Sequence, residues 1–188
     1  NRTQGLGANP LHLDYVNRSH PPQLIGLLGV RQDPSGGGAS LLGHLPSACE
    51  ALSAASSLTL EDPVFRYWND AGALEVGEPL EAFSILPTED AFTRFTAKML
   101  PHLDGTDTCL VPSAAPWSKK YALALQELHH ALCQRVWEHR LAPGELLVFD
   151  QRVFAHGRQA MGPGQGELPK SKRRLLRQLY ARLSRAQP

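Results

Sequence analysis

The 188-residue sequence predicts a mainly β domain with flanking helices, and three observations carry that expectation. Sixteen glycines and fifteen prolines punctuate the chain so often that its elements must be short and joined by many turns, which argues against a helical bundle. The apolar runs are brief and bounded by turn residues, as buried strands are. One longer segment, residues 119–140, carries Leu125, Leu128, Leu132 and Val136 as a single stripe at helical spacing, the mark of a helix laid against a core. A chain of this length builds one domain, expected to span residues 1–188.

In chain order, residues 11–16 read as a strand, followed by a loop through His20-Pro21-Pro22. The run 24–30 is too short for a helix and reads as a buried strand. Gly36-Gly37-Gly38 turns the chain into a further extended stretch at 39–42, and Pro46 opens a short helix to about residue 55. Residues 61–68 and 80–86 fit strands, and 89–100 a short helix. After the long helix, stopped by Pro143-Gly144, residues 146–149 and 153–156 read as two strands around Asp150-Gln151. A Gly/Pro loop at 162–169 leads to residues 174–183, where a strand and a terminal helix both fit.

Nineteen basic against eighteen acidic side chains leave a formal net charge of +1, which argues against a nucleic-acid or membrane-surface partner. No apolar run is long enough to span a bilayer, and the first residues lack the order of a secretory signal. Cys49, Cys109 and Cys133 have no CxxC spacing, so neither a disulfide scaffold nor a zinc ribbon is indicated. A cytoplasmic protein acting on a small molecule is the expectation.

The chemistry gathers at three places. In His12-Leu13-Asp14 an imidazole and a carboxylate two residues apart share one face of a strand, so both can reach one metal ion. His156 ends an apolar strand, where a histidine alone is an ordinary core residue. Taken together they make two histidines and one carboxylate, the facial set that leaves positions open on a non-haem Fe(II) ion. The third place is the basic cluster Lys170, Lys172, Arg173, Arg174 and Arg177, able to grip a carboxylate bidentately. His129, His130 and Cys133 share a helix whose leucines mark it as a core element. Trp68 and Trp137 read as packing residues.

With these residues in view, the chain resembles the Fe(II)/2-oxoglutarate-dependent dioxygenases of the taurine dioxygenase and clavaminate synthase-like superfamily. His12-x-Asp14 stands for the family's His-x-Asp/Glu, and Gly37-Gly38-Ala39-Ser40 for its Gly-Gly-x-Thr turn, with Ser for Thr. The run from Pro143-Gly144-Glu145-Leu146-Leu147 through Phe149-Asp150-Gln151-Arg152 to His156-Gly157-Arg158 matches the motif around the distal histidine, with Gln151 where the family has Asn.

The resemblance implies a double-stranded β-helix, a cupin-like jelly roll. It implies Fe(II) on His12, Asp14 and His156, with Arg173 and Ser40 on the far carboxylate of 2-oxoglutarate. The loop after His156 is longer than usual, so Arg174 and Arg177 are alternatives for that clamp. With O2, 2-oxoglutarate would go to succinate and CO2 while a substrate is hydroxylated or desaturated; the presence of Asp14 speaks against chlorination. Tyr15, Asn17, Arg18, Trp117 and Arg158 suit a small polar substrate carrying a carboxylate, such as an amino acid or a natural-product intermediate. A cupin-type isomerase or hydrolase would keep the metal ligands without the arginine, and a non-catalytic binding module would need neither. Family members carry on the order of a hundred residues before the His-x-Asp; this chain has few, and upstream sequence is expected to be lacking.

Overall fold

A computed structural model describes residues 5–67, 77–87, 92–103 and 109–182. Among these, seven strands form two antiparallel sheets. β1 (Asn9–His12), β6 (Phe154–Arg158), β3 (Ser40–His44) and β4 (Val136–His139) lie side by side in that order, and β5 (Leu146–Asp150), β2 (Leu24–Arg31) and β7 (Leu175–Ala181) make the second sheet. Apart from β3 and β4, which pair with each other, successive strands of the chain alternate between the sheets, as in the double-stranded β-helix.

The strands sort their side chains by period two. Ile25 and Leu27 of β2, Leu42 of β3 and Phe149 of β5 meet with Leu141 in a cluster that joins the sheets, with Leu176 and Tyr180 packed against it. On the other face of the four-stranded sheet, Leu11 and Ala155 enter a larger core. It is completed by Leu45 and Ala48 of α1 (Leu45–Glu50), Leu60 of α2 (Ala54–Leu60), and Leu125, Leu128 and Leu132 of α3 (Ser118–Cys133). Gly43 admits this contact: a Cβ there would stand 3.2 Å from both Leu11 Cδ1 and Leu132 Cδ2.

Several expectations are corrected. The helix read over 119–140 ends at Cys133, and Val136 leaves the leucine stripe to open β4, because pairing with Leu41 to Gly43 satisfies the free edge of β3. Trp137, expected to pack, is 46% exposed and stacks on His139; Trp68 lies outside the described residues. The helix read from Pro46 is two, divided where Ser53 caps α2 by accepting from Ser56 N–H. The strands read over 61–68 and 80–86 reduce to isolated bridges between Phe65 and Phe83 and between Phe65 and Leu110. In 89–100, residues 89–91 lie outside the described residues. The rest is extended up to a 3-10 helix at Ala97–His102, with Pro101 inside it. Residues 174–183, left between strand and helix, supply β7, registered against all of β2.

Candidate active site

β1 stops at His12 because the chain leaves the sheet there: Leu13 N–H donates to the Phe95 carbonyl at 2.8 Å and His12 bridges Thr96. Asp14 therefore stands in a turn rather than on the strand expected at 11–16. Tyr15 follows with φ of 59°, a left-handed conformation that is costly for a side chain of this size. The turn folds the carboxylate back, with Oδ1 3.5 Å from His12 Nε2. From β6, His156 faces His12 as its Cα partner, ring centroids 4.3 Å apart, and its Nε2 is 3.5 Å from Asp14 Oδ2. Two chain segments far apart in sequence thus deliver three ligand atoms within 4.8 Å of one another, the one such group among the described residues.

Each ligand is oriented by its neighbours. His12 Nδ1 donates to the Pro10 carbonyl at 2.8 Å, which leaves the Nε2 lone pair for a metal. Asp14 Oδ2 accepts from Gln178 Nε2 at 2.6 Å and from the Tyr180 hydroxyl at 3.1 Å, so Oδ1 is the freer oxygen. The buried Nδ1 of His156 has no hydrogen-bond partner among the described residues; packing sets this ring, between His12 and Phe149, whose ring centroid is 5.3 Å away.

The charges also suit a cation. Burial would raise the Asp14 carboxyl, but the His156 imidazole and the bonds from His12 and Tyr180 outweigh it and hold the group well below the usual carboxylate range. Burial, with His12 beside it, pushes His156 down to about 3. An ionised carboxylate with a neutral imidazole is the donor set a divalent ion requires, so these residues fit Fe(II).

Beside His156 opens a cavity of about 600 Å³, lined among others by Leu27, Ser40, Arg158, Arg174, Leu176 and Gln178. On β7 the inward face runs Leu176, Gln178, Tyr180, and Arg174 shares its parity. The Arg174 guanidinium makes no hydrogen bond or ion pair among the described residues. Burial and the neighbouring Arg158 lower it to about 10, with Asp33 opposing. Arg173, the expected clamp, also lines the cavity, but its Nε donates to the Leu168 carbonyl and its Nη2 to the Gly166 carbonyl, each at 2.7 Å. Arg177 has the opposite parity and is exposed. The Gly37-Gly38-Ala39-Ser40 turn shapes the same space. Gly38 has φ of +71°, and a Cβ on it would meet Arg174 Cδ at 2.8 Å.

Of the residues expected to touch substrate, Tyr15 stands edge-on to Tyr180, 5.5 Å between centroids. Among the described residues, the buried Asn17 Oδ1 and the buried Arg18 Nε have no hydrogen-bond partner. Arg158 is buried, its Nη2 donating to the carbonyls of Gly5 and Gly7 at 2.8 and 2.5 Å. Trp117 ends the 3-10 helix Pro112–Trp117, 65% exposed and apart from the cavity lining. Sequence reasoning overlooked Gln178 and Tyr180. Their signal is the period-two alternation from Arg174, legible only once residues 174–183 are known to be a strand.

The profile of the Taurine catabolism dioxygenase TauD, TfdA family matches residues 1–180. The chain is 28% identical over 155 residues to L-asparagine oxygenase of Streptomyces coelicolor, covering 81% of this chain and 42% of that protein. A crystal structure of asparagine oxygenase in complex with Fe(II), 2S,3S-3-hydroxyasparagine and succinate superposes with a TM-score of 0.71 at 23% identity, covering 94% of this chain and 50% of that one. The non-heme iron oxygenase OrfP in complex with Fe gives 0.67 at 15% identity, with 96% and 53% covered. The chain thus spans about half the length of these relatives. With the profile matched over nearly its whole length, the chain belongs to the TauD/TfdA family of dioxygenases.

Proposed function

We propose that the chain is the catalytic domain of a non-haem Fe(II)/2-oxoglutarate-dependent oxygenase that hydroxylates a small polar substrate of the amino-acid class. The observation that carries this reading is the juxtaposition of the His12, Asp14 and His156 ligand atoms with a cavity holding an uncommitted guanidinium. Arg174 pairs with the distal carboxylate of 2-oxoglutarate, Ser40 lies beside it, and Arg158 adds positive charge to the same space. Bound iron supplies the O2 chemistry, in which 2-oxoglutarate and O2 become succinate and CO2 and one oxygen atom enters a substrate C–H bond. The protein holds the ligands, pairs the anion and restricts water.

The amino-acid class is supported by the relationship to asparagine oxygenase and by polar groups beside the metal turn: the orphaned atoms of Asn17 and Arg18 and the Tyr15 ring. No helix among the described residues is long and apolar enough to cross a membrane, and the free thiols of Cys49, Cys109 and Cys133 suit a reducing cytoplasm.

The test is anaerobic addition of Fe(II) and 2-oxoglutarate, expected to give a weak visible charge-transfer band that His156→Ala abolishes. Succinate release is then followed across amino acids, with Arg18→Ala as comparison. A band that survives His156→Ala in a folded protein overturns the ligand assignment. Turnover stimulated by lipophilic compounds alone, with Arg18→Ala silent, overturns the substrate class.

A further inference from the structure

We infer that Gln151 is a positioning residue of this metal centre, a buried carboxamide strut that joins the turn carrying Asp14 to the β5–β6 connection leading to His156 and presets the ligand geometry. The inference rests on the proposed reading of His12, Asp14 and His156 as a metal site.

Gln151 lies in the short connection between β5 and β6 and has 0% exposure. Its Oε1 accepts from Asp14 N–H at 2.9 Å, its Nε2 donates to the Pro22 carbonyl, and its own N–H donates to the Gln23 carbonyl at 2.9 Å. One residue therefore ties three segments: the metal turn, the rigid Pro21-Pro22 entry to β2, and the crossover that leads from β5 in one sheet to His156 on β6 in the other.

The chemistry of the position is demanding. An acceptor and a donor are required at one uncharged terminus, because Asp14 N–H and the Pro22 carbonyl lie at opposite ends of the amide. Without it the part-buried Asp14 N–H and the buried Pro22 carbonyl both lose this partner, a costly condition for main-chain groups. A glutamate would lose the donor and set a second carboxylate near Asp14.

The consequence reaches the metal because Asp14 is pinned twice. Gln151 holds its main chain from the β5–β6 connection, and Gln178 and Tyr180 hold Oδ2 from β7. An aspartate has few torsions, so fixing its backbone and one oxygen fixes the other. Oδ1 is then held toward His12 as a single-oxygen ligand, with little rearrangement left for binding to impose.

The test is calorimetric titration of Co(II), a redox-stable probe, into the apo chain, with thermal unfolding recorded alongside. Gln151→Met, equal in length but without hydrogen bonds, is expected to weaken Co(II) binding about 10- to 100-fold. Gln151→Asn, one methylene too short to span both partners, should fall between. Leu125→Ala, in the helical core, should lower the melting temperature while leaving Co(II) affinity as it is, separating positioning from general destabilisation. Folded Gln151→Met binding Co(II) as tightly as the unsubstituted chain overturns the strut. If that variant does not fold, the same result with Gln151→Asn overturns it, and a weakened affinity there supports it. An unsubstituted chain that takes up no Co(II) overturns the metal-centre reading itself, and the strut with it.

Discussion

At the scale of the residue, strand parity and hydrogen bonding together decide which of three neighbouring cations is left to a ligand in the cavity, which both Arg173 and Arg174 line. Arg173 spends its guanidinium on the Leu168 and Gly166 carbonyls and Arg177 points away, while Arg174 is inside and uncommitted. A buried, charge-assisted pair with a carboxylate contributes about 2 to 5 kcal/mol when one partner is removed. Arg174→Ala is therefore expected to raise the 2-oxoglutarate concentration needed for half-maximal succinate formation by about 30-fold or more. Arg177→Ala should leave it within about twofold. A larger effect from Arg177→Ala or Arg173→Ala would place the clamp elsewhere.

At the scale of the element, a carboxylate couples two helices. Glu127 on α3 accepts from Ser53 N–H at 2.6 Å and Ser53 Oγ at 3.1 Å, and from the Ser56 hydroxyl, so it caps α2 from outside as Ser53 caps it from within. The Ser56 and Ser53 bonds lower its pKa. A carboxyl lowered on folding stabilises above its unfolded value, near 4.3, and that stability is lost as pH falls through the folded value. Glu127→Gln should cost about 1 kcal/mol at pH 7, a figure reduced for solvent exposure. The gap between the two proteins in urea unfolding should close on acidification. A gap that persists below pH 3 would assign the effect to packing.

At the scale of the whole molecule, two apolar clusters have different duties. The helical core behind the four-stranded sheet holds the fold, whereas the cluster between the sheets includes Phe149, whose ring borders His156. Because His156 Nδ1 has no hydrogen-bond partner among the described residues, its orientation depends on that packing. Leu125→Ala is expected to lower stability by about 2 to 5 kcal/mol without changing Co(II) affinity. Phe149→Leu, a smaller loss of volume, should weaken Co(II) binding several-fold. Equal affinities in the two variants would show that the imidazole is held otherwise.

The sequence by itself determined the parts of this protein whose signals are local. The His12 and Asp14 pair, the run leading to His156, the buried strand at 24–30 and the leucine face of the long helix are all short patterns whose spacing carries their meaning. Only the tertiary structure decided what depends on partners distant in the chain. Val136 became strand because β3 offered an unsatisfied edge, and Asp14 left the strand because Phe95 drew off the backbone of Leu13. The parity of Arg174 followed from the register of β7 on β2, which a long glycine- and proline-rich loop hides from any count of residues. Gln151, Gln178 and Tyr180 converge on Asp14 across more than a hundred positions. Hydrogen bonds over that separation leave no periodicity to detect; they form where packing closes the chain on itself.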